Sequence, residues 1–152
     1  MRAPSTDVVH ASSPLSSGRP LSPQERPTAA LIDLGALSHN VSEVIRRIGG
    51  RKFLAVVKAQ AYGHGAVPVS RRLVELGASL LGVALVEEGR QLRDAGITSP
   101  ILVMGPVFPE QAESIVRLNL TPVVFTRALA DALSKAAQAS CRNVPVHVKI
   151  DT

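Results

Sequence analysis

The chain has 152 residues, a formal net charge of +5, 45% hydrophobic residues and 19% charged residues. This length can form one domain with a core, and the composition is typical of an α/β protein with buried strands. The basic residues are scattered and the few aromatic residues do not alternate with them, so we expect no nucleic-acid partner. No apolar run approaches the length that spans a bilayer, so we expect no membrane partner.

The first 26 residues differ in composition from the rest of the chain. They are rich in Ser and Pro and show no apolar periodicity, which predicts a disordered tail without a strand or helix. The tail lacks the apolar centre of a secretory signal, and the single cysteine, Cys141, has no partner for an internal disulfide. A cytoplasmic location is therefore expected.

From residue 27 onward, strand and helix patterns alternate. Apolar patterning and Gly/Pro boundaries predict strands at 28–33, 53–57, 79–85, 101–104, 121–125 and 145–150, and helices at 36–48, 67–76, 86–95, 109–118 and 127–139. Such alternation predicts parallel strands joined by right-handed crossovers, either in an α/β barrel or in an open doubly wound sheet. A G-x-G-x-x-G turn would favour the open sheet, and none follows the first strands here. Periodicity alone leaves both architectures open.

A lysine ends the second of these strands. The stretch from Phe53 to Gly65 reads FLAVVKAQAYGHG, so Lys58 follows an apolar run and precedes a loop of small residues that holds Tyr62. Partial desolvation at the end of a parallel strand favours a neutral amine and suits Lys58 to form a Schiff base with a carbonyl cofactor. By spacing alone, a surface lysine that merely ends a strand is the commoner alternative. We expect His64 to hydrogen-bond within its glycine loop.

The run AVVKAQAYGHG, residues 55–65, resembles the cofactor-lysine motif of alanine racemases, the pyridoxal-phosphate enzymes that interconvert L- and D-alanine. The resemblance implies that Lys58 is catalytic and carries pyridoxal 5'-phosphate as a Schiff base, and that Tyr62 contacts the cofactor phosphate. The family usually has asparagine where this chain has Gln60, whose side chain is one methylene longer. The resemblance also implies a partial (β/α)8 TIM-type barrel, with about five of the eight strands and Lys58 at the end of the first.

The segments 82–84, 95–97 and 100–105 resemble the next parts of the family's barrel, and VHVKIDT, residues 146–152, resembles its fifth-strand motif. Many members carry a carbamylated lysine there that orients an arginine, so Lys149 is a candidate carbamylated lysine. Between Val148 and Ile150 we expect its ammonium to be poorly solvated. An equally good interpretation is a lysine at the barrel rim whose long side chain reaches solvent. Because the motif normally continues further, we expect residues 27–152 to be an incomplete N-terminal part of the barrel.

The function implied by the resemblance is racemisation of alanine, which supplies D-alanine for peptidoglycan, by a cytoplasmic homodimer. The family's second base is a tyrosine of the C-terminal domain, contributed across the dimer interface, so we expect residues 1–152 alone to be inactive. A serine or broad-specificity amino-acid racemase, a noncatalytic pyridoxal-phosphate-binding barrel protein and a noncatalytic remnant remain alternatives.

Other polar residues receive simpler interpretations. His64 and His147 have no partners at metal-ligand spacing, so no metal site is expected. Glu88 and Arg93 match the family pattern, but we interpret both as parts of a solvated helix face.

Overall fold

The computed structural model describes residues 8–10 and 30–150. Its strands are β1 (Val8–His10), β2 (Leu31–Asp33), β3 (Leu54–Val56), β4 (Leu80–Val83), β5 (Ile101–Val103), β6 (Thr121–Val124) and β7 (His147–Val148). Its helices are α1 (Leu34–Ile48), α2 (Lys58–Tyr62), α3 (Ala66–Glu75), α4 (Val86–Asp94), α5 (Ala112–Arg117) and α6 (Arg127–Ala139), and a 3-10 helix, Pro109–Gln111, precedes α5. Within the described ranges, no helix is both long enough and apolar enough to cross a membrane.

Strands β3 to β7 form one parallel sheet in which each strand pairs with the next one along the chain. An open doubly wound sheet reverses its strand order at a switch point, whereas a (β/α) barrel adds strands in one direction. The order here never reverses. The prediction of a partial (β/α) barrel with about five strands is therefore confirmed.

The core lies between this sheet and its helices. The strand residues in it are almost completely buried: Ala55, Val57, Leu81, Val83, Ile101, Val103 and Val124. They form one cluster with helix residues such as Leu92 of α4, Ile115 of α5 and Leu129 of α6, each with no exposed surface. Buried apolar residues on both layers explain why the apolar runs alternate with amphipathic helices in the sequence.

The opposite face of the sheet corresponds to the interior of a barrel. A Cβ atom on Gly82 would lie 2.9 Å from Leu54 Cδ2 and 3.2 Å from Met104 Sδ, so these three neighbours share that face. Phe125, which follows β6, is 52% exposed. This face is thus less covered than the face that packs against the helices.

The helix boundaries follow from capping. Asp33 Oδ1 accepts hydrogen bonds from Gly35 N at 2.7 Å and Ala36 N at 3.0 Å, so α1 begins at Leu34, two residues before the predicted start. Gly49, with φ of 60°, ends α1. Helix α6 spans the predicted residues.

Strand β1 corrects the expectation that no strand precedes residue 27. It pairs antiparallel with β2, with Val9 opposite Ile32. A three-residue strand is too short to show periodicity, and only its pairing with β2 defines it. The rest of the predicted disordered tail, residues 1–7 and 11–26, lies outside the described residues.

Candidate functional site at the carboxyl ends of the strands

Lys58 lies half-buried just after β3 and begins an unusual turn, α2. Ala59, Gln60, Ala61 and Tyr62 all have positive φ, from 50° to 56°. This is the left-handed region, which costs an L-residue about 1–2 kcal/mol and is normally visited by single residues. Four such residues in succession require support from their surroundings.

Part of that support lies within the turn and the loop that follows it. Ala61 N donates to the carbonyl of Val57 at 2.9 Å, Gly63 N to that of Ala59 at 3.0 Å, and Gly65 N to that of Gln60 at 2.8 Å. Each of these three carbonyls therefore accepts a hydrogen bond from the turn or from the loop that follows it. The ring Nδ1 of His64 also lies 2.9 Å from the carbonyl oxygen of Ala61, which confirms the expected hydrogen bond within the glycine loop.

Glu88 of α4 connects this turn to the neighbouring strand. Its Oε1 accepts a hydrogen bond from Ala59 N at 2.6 Å, and its Oε2 accepts from Ala84 N at 2.7 Å and Leu85 N at 3.1 Å. The interpretation of Glu88 as part of a solvated helix face was wrong. The carboxylate caps α4 and also holds the residue directly after Lys58.

Gln60 makes a second connection to α4. Its Nε2 donates to Gln91 Oε1 at 2.8 Å, Gln91 Nε2 donates back to Gln60 Oε1 at 3.4 Å, and Ala66 N donates to the same Gln60 oxygen at 3.4 Å. The side chain thus connects α2 both to α4 and to the first residue of α3.

Arg93 performs a similar task at the amino ends of the strands. It donates to four carbonyl groups over distances of 2.6 to 2.9 Å, those of Ile97, Ser99, Leu118 and Asn119. Burial lowers the pKa of the Arg93 guanidinium below its usual value. Arg93 is thus a bridge between the loops before β5 and β6, and the solvated-face interpretation of this residue was also wrong.

Tyr62 lies on the outside of α2 and is 60% exposed. It lines a cavity of about 520 Å³ together with His64 and with residues of β2, α1, β3 and α3. Lys58 is not among the lining residues of this cavity. Lys58 and Tyr62 thus begin and end the same short turn, and of the two only Tyr62 lines this cavity.

Lys149 follows β7 and is exposed, which corrects the expectation of a poorly solvated ammonium. Strand β7 covers only His147–Val148 and is an outer strand of the sheet, so no other strand among residues 30–150 pairs with it on the side away from β6. Lys149 N donates to the carbonyl of Val124 at 2.9 Å, and the residue lines a cavity of about 480 Å³ that also includes Met104 and Phe125. Since the strands are parallel, Lys58 and Lys149 lie at the same end of the sheet.

These side chains have the chemistry that pyridoxal 5'-phosphate requires. Lys58 offers a primary amine, which condenses with an aldehyde, and the exposed residue Tyr62 offers a hydroxyl that can donate a hydrogen bond to a phosphate. The residues present therefore fit this cofactor. Among residues 8–10 and 30–150, no three His, Cys, Asp or Glu side chains are grouped in a way that would hold a metal ion.

A parallel sheet in unreversed order, with a lysine at the carboxyl end of its first strand, is typical of the (β/α)-barrel class, in which sites lie at this rim. The sequence profile of the alanine racemase N-terminal domain matches residues 32–152. The chain belongs to the alanine racemase family and contains this part of its N-terminal domain.

Individual relatives agree with this assignment. The chain is 47% identical over 128 residues to an alanine racemase of Geobacter sulfurreducens, a match that covers 84% of the chain and 34% of that protein. The solved alanine racemase of Streptomyces coelicolor A3(2) superimposes with a TM-score of 0.74 at 34% identity, covering 79% of this chain and 32% of that one. A histidine racemase of Leuconostoc mesenteroides has a TM-score of 0.68 at 26% identity, covering 74% and 30%. The chain spans about a third of the length of these proteins.

Proposed function

We propose that the protein containing this chain is an alanine racemase, which interconverts L- and D-alanine with pyridoxal 5'-phosphate held by Lys58. The observation that carries the proposal is the position of Lys58, at the carboxyl end of β3 and as the first residue of the left-handed turn α2. Membership of the family and 47% identity to the Geobacter sulfurreducens enzyme support it.

The proposed roles divide the chemistry between two side chains. When bound, pyridoxal 5'-phosphate withdraws electron density from the α-carbon of an amino acid and so acidifies its Cα–H bond. Lys58 Nζ holds the cofactor and, when it is not engaged in that bond, accepts a proton from Cα or returns one. The hydroxyl of Tyr62 donates to the cofactor phosphate and resists its loss.

Racemisation also needs a proton donor on the opposite face of the α-carbon. Tyr62 is assigned to the phosphate, so it does not serve this purpose. Following the family resemblance, we assign the second base to a tyrosine of a C-terminal domain, contributed across the interface of a homodimer. The same resemblance supports a cytoplasmic enzyme that supplies D-alanine for peptidoglycan.

Another amino-acid substrate is the second candidate. The solved histidine racemase shares the fold of this segment at 26% identity, so related segments occur in racemases with different substrates. A serine or broad-specificity amino-acid racemase would contain the same Lys58 and the same turn. The two candidates differ only in which amino acid turns over.

A hybrid protein tests both candidates. Residues 1–152 replace the matching segment of the Geobacter sulfurreducens relative, and racemisation of L-alanine, L-serine and L-histidine is measured by chiral chromatography. We expect turnover of L-alanine that Lys58→Ala abolishes. Turnover of L-serine or L-histidine in excess of L-alanine would favour the second candidate, and turnover that survives Lys58→Ala would remove Lys58 from the mechanism.

Chemical trapping in the same hybrid identifies the attachment site. Borohydride reduces the carbon–nitrogen double bond that a lysine amine forms, with loss of water, with the cofactor aldehyde. Peptide mapping should then find the pyridoxyl group on Lys58, with Lys52 and Lys135 as internal controls. A label confined to either control lysine would contradict the assignment.

We also propose that Lys149 is carbamylated. The ammonium first loses a proton to solvent, and the neutral amine then attacks carbon dioxide: a nitrogen–carbon bond forms, one carbon–oxygen π bond breaks and a second proton leaves to solvent. The charge of the side chain thus changes from +1 to −1, and the anion can orient an arginine. The exposed position of Lys149 at the rim supports access of carbon dioxide.

Carbamylation has a direct spectroscopic test. In buffer with ¹³C-labelled bicarbonate, the hybrid should show a carbamate carbon resonance that Lys149→Ala removes and Lys135→Ala keeps. A spectrum without that resonance, or one that Lys149→Ala leaves unchanged, contradicts the proposal.

A further inference from the structure

The turn α2 fixes the backbone that carries Lys58, yet its conformation is one that the local sequence disfavours. Ala59, Gln60 and Ala61 are good formers of right-handed helix, and none of them is glycine. The carbonyls of Ala59, Gln60 and Ala61 accept hydrogen bonds from Gly63 N, Gly65 N and His64 N, but these short-range bonds do not offset the preference of the three residues for the right-handed form. Something outside the turn must therefore select the left-handed form.

Helix α4 provides two contacts that reach the turn from outside it. The first is the carboxylate of Glu88, which accepts from Ala59 N at 2.6 Å with one oxygen and from Ala84 N and Leu85 N with the other. A carboxylate only accepts hydrogen bonds, and bonds to its charged oxygens are shorter and stronger than neutral ones. Glu88 thus ties the residue after Lys58 to the end of β4.

The second contact lies three residues further along α4, and therefore on the same side of that helix. Gln91 exchanges hydrogen bonds with Gln60, the second residue after Lys58, with a shorter bond of 2.8 Å from Gln60 Nε2. Gln60 in turn accepts from Ala66 N at the start of α3. Two successive residues of the turn are therefore held by two side chains of one rigid helix.

We propose that Glu88 and Gln91 are positioning residues: through Ala59 and Gln60 they hold α2 in its left-handed form and so fix the direction in which Lys58 leaves the sheet. The consequence for the cofactor rests on the proposed function of Lys58. We call the effect of these two contacts on the turn the hold. The hold does not rest on the proposed function, because it concerns only the conformation of the turn.

Amide hydrogen exchange of the hybrid protein, without cofactor, tests the hold. The reporters are the amides of Ala61, Gly63 and Gly65, whose acceptors are the backbone carbonyls of Val57, Ala59 and Gln60, respectively. In Glu88→Ala and in Gln91→Ala these amides should exchange about 10-fold faster, because the turn opens more often once a contact from α4 is lost. Amides of α6 should keep their exchange rates, which shows that the sheet and helices remain folded.

Two further variants separate positioning from general stability. Glu87→Ala removes a charge from the same helical turn at an exposed residue, and it should leave the reporters unchanged. Gln91→Glu keeps an oxygen that accepts the 2.8 Å bond from Gln60, so it should restore most of the protection that Gln91→Ala loses. Gln91 contributes no cap to α4, so its variants act on the turn without the effect of Glu88 on that helix.

A second arm connects the hold to Lys58. Pyridoxal 5'-phosphate and borohydride are added to each variant, and the pyridoxyl label on Lys58 is compared with that on Lys135 of the same molecule. The ratio should fall in Glu88→Ala and in Gln91→Ala, and stay constant in Glu87→Ala.

The outcomes are distinguishable. Reporter amides that do not respond in either variant overturn the hold, even if Lys58 is labelled. Faster exchange that extends equally to α6 overturns it as well, because the effect is then general. If the reporters respond as expected and Lys58 of the unaltered chain takes no label, the hold stands and the proposed role of Lys58 fails.

Discussion

Tyr62 is the only tyrosine of the chain, and its hydroxyl makes a sharp test of phosphate binding possible. Tyr62→Phe keeps the ring and removes one hydrogen bond to an anion. In the hybrid protein, the affinity for pyridoxal 5'-phosphate should fall by about 1.5–3 kcal/mol, because bonds to charged groups are stronger than neutral ones. Equilibrium dialysis gives Kd for the variant and the parent.

The matched control for Tyr62→Phe is a second ligand without a phosphate group. Pyridoxal lacks the phosphate, so its Kd should be the same for both proteins. If Tyr62→Phe weakens both ligands equally, the hydroxyl acts on the fold of the turn, and if it weakens neither, Tyr62 is not a phosphate contact.

Single residues were also where sequence reasoning was least complete. The motif around Lys58 indicated the lysine and its neighbours, but Glu88 and Arg93 looked like ordinary charged residues of an amphipathic helix. Glu88 reaches Ala59, 29 positions away, and Arg93 reaches Leu118 and Asn119, 25 and 26 positions away. All of their partners are backbone groups, which carry no side-chain signature. The one available signal was the position of Glu88 at the start of α4, where a carboxylate caps free amides.

At the scale of elements, the sequence predicted the main helices and the order of the strands because each buries one face in the core. Apolar stripes and alternation arise from that burial, and Gly or Pro at the boundaries gave the ends to within a few residues. The strands came out shorter than predicted. Leu85, for example, is 49% exposed and lies outside β4, since apolar character continues past the last paired residue.

Turn α2, like β1, is an element that no local pattern indicated. The sequence Ala-Gln-Ala favours a right-handed helix. Only the glycines Gly63 and Gly65 are residue types that indicate positive φ, and their φ angles are 87° and 91°. The left-handed form depends on contacts from α4 that join residues about 30 positions apart. Tertiary contacts override propensity here, at the place where Lys58 leaves the sheet.

At the scale of the whole molecule, the described sheet has an uneven distribution of buried surface. One face packs against helices, while the other holds residues such as the half-buried Met104 and the exposed Phe125. The outer strands of the parallel sheet are β3 and β7. In a closed eight-stranded barrel the inner face is filled by facing strands and no edge remains, so this segment supplies the first wall of a site rather than an enclosed one.

Residues 1–152 by themselves should therefore not racemise alanine. They contain the candidate cofactor lysine and one candidate phosphate contact, but rim loops from further strands and a base for the opposite face of Cα are not among the described residues. Proton delivery on that face would fall to water, and the loss of a positioned acid or base costs roughly 10²- to 10⁴-fold in rate. D-Alanine formation from L-alanine, followed in a coupled assay with added pyridoxal 5'-phosphate, should match that of Lys58→Ala. Turnover near that of the hybrid, and abolished by Lys58→Ala, would mean that these five strands already form a complete site.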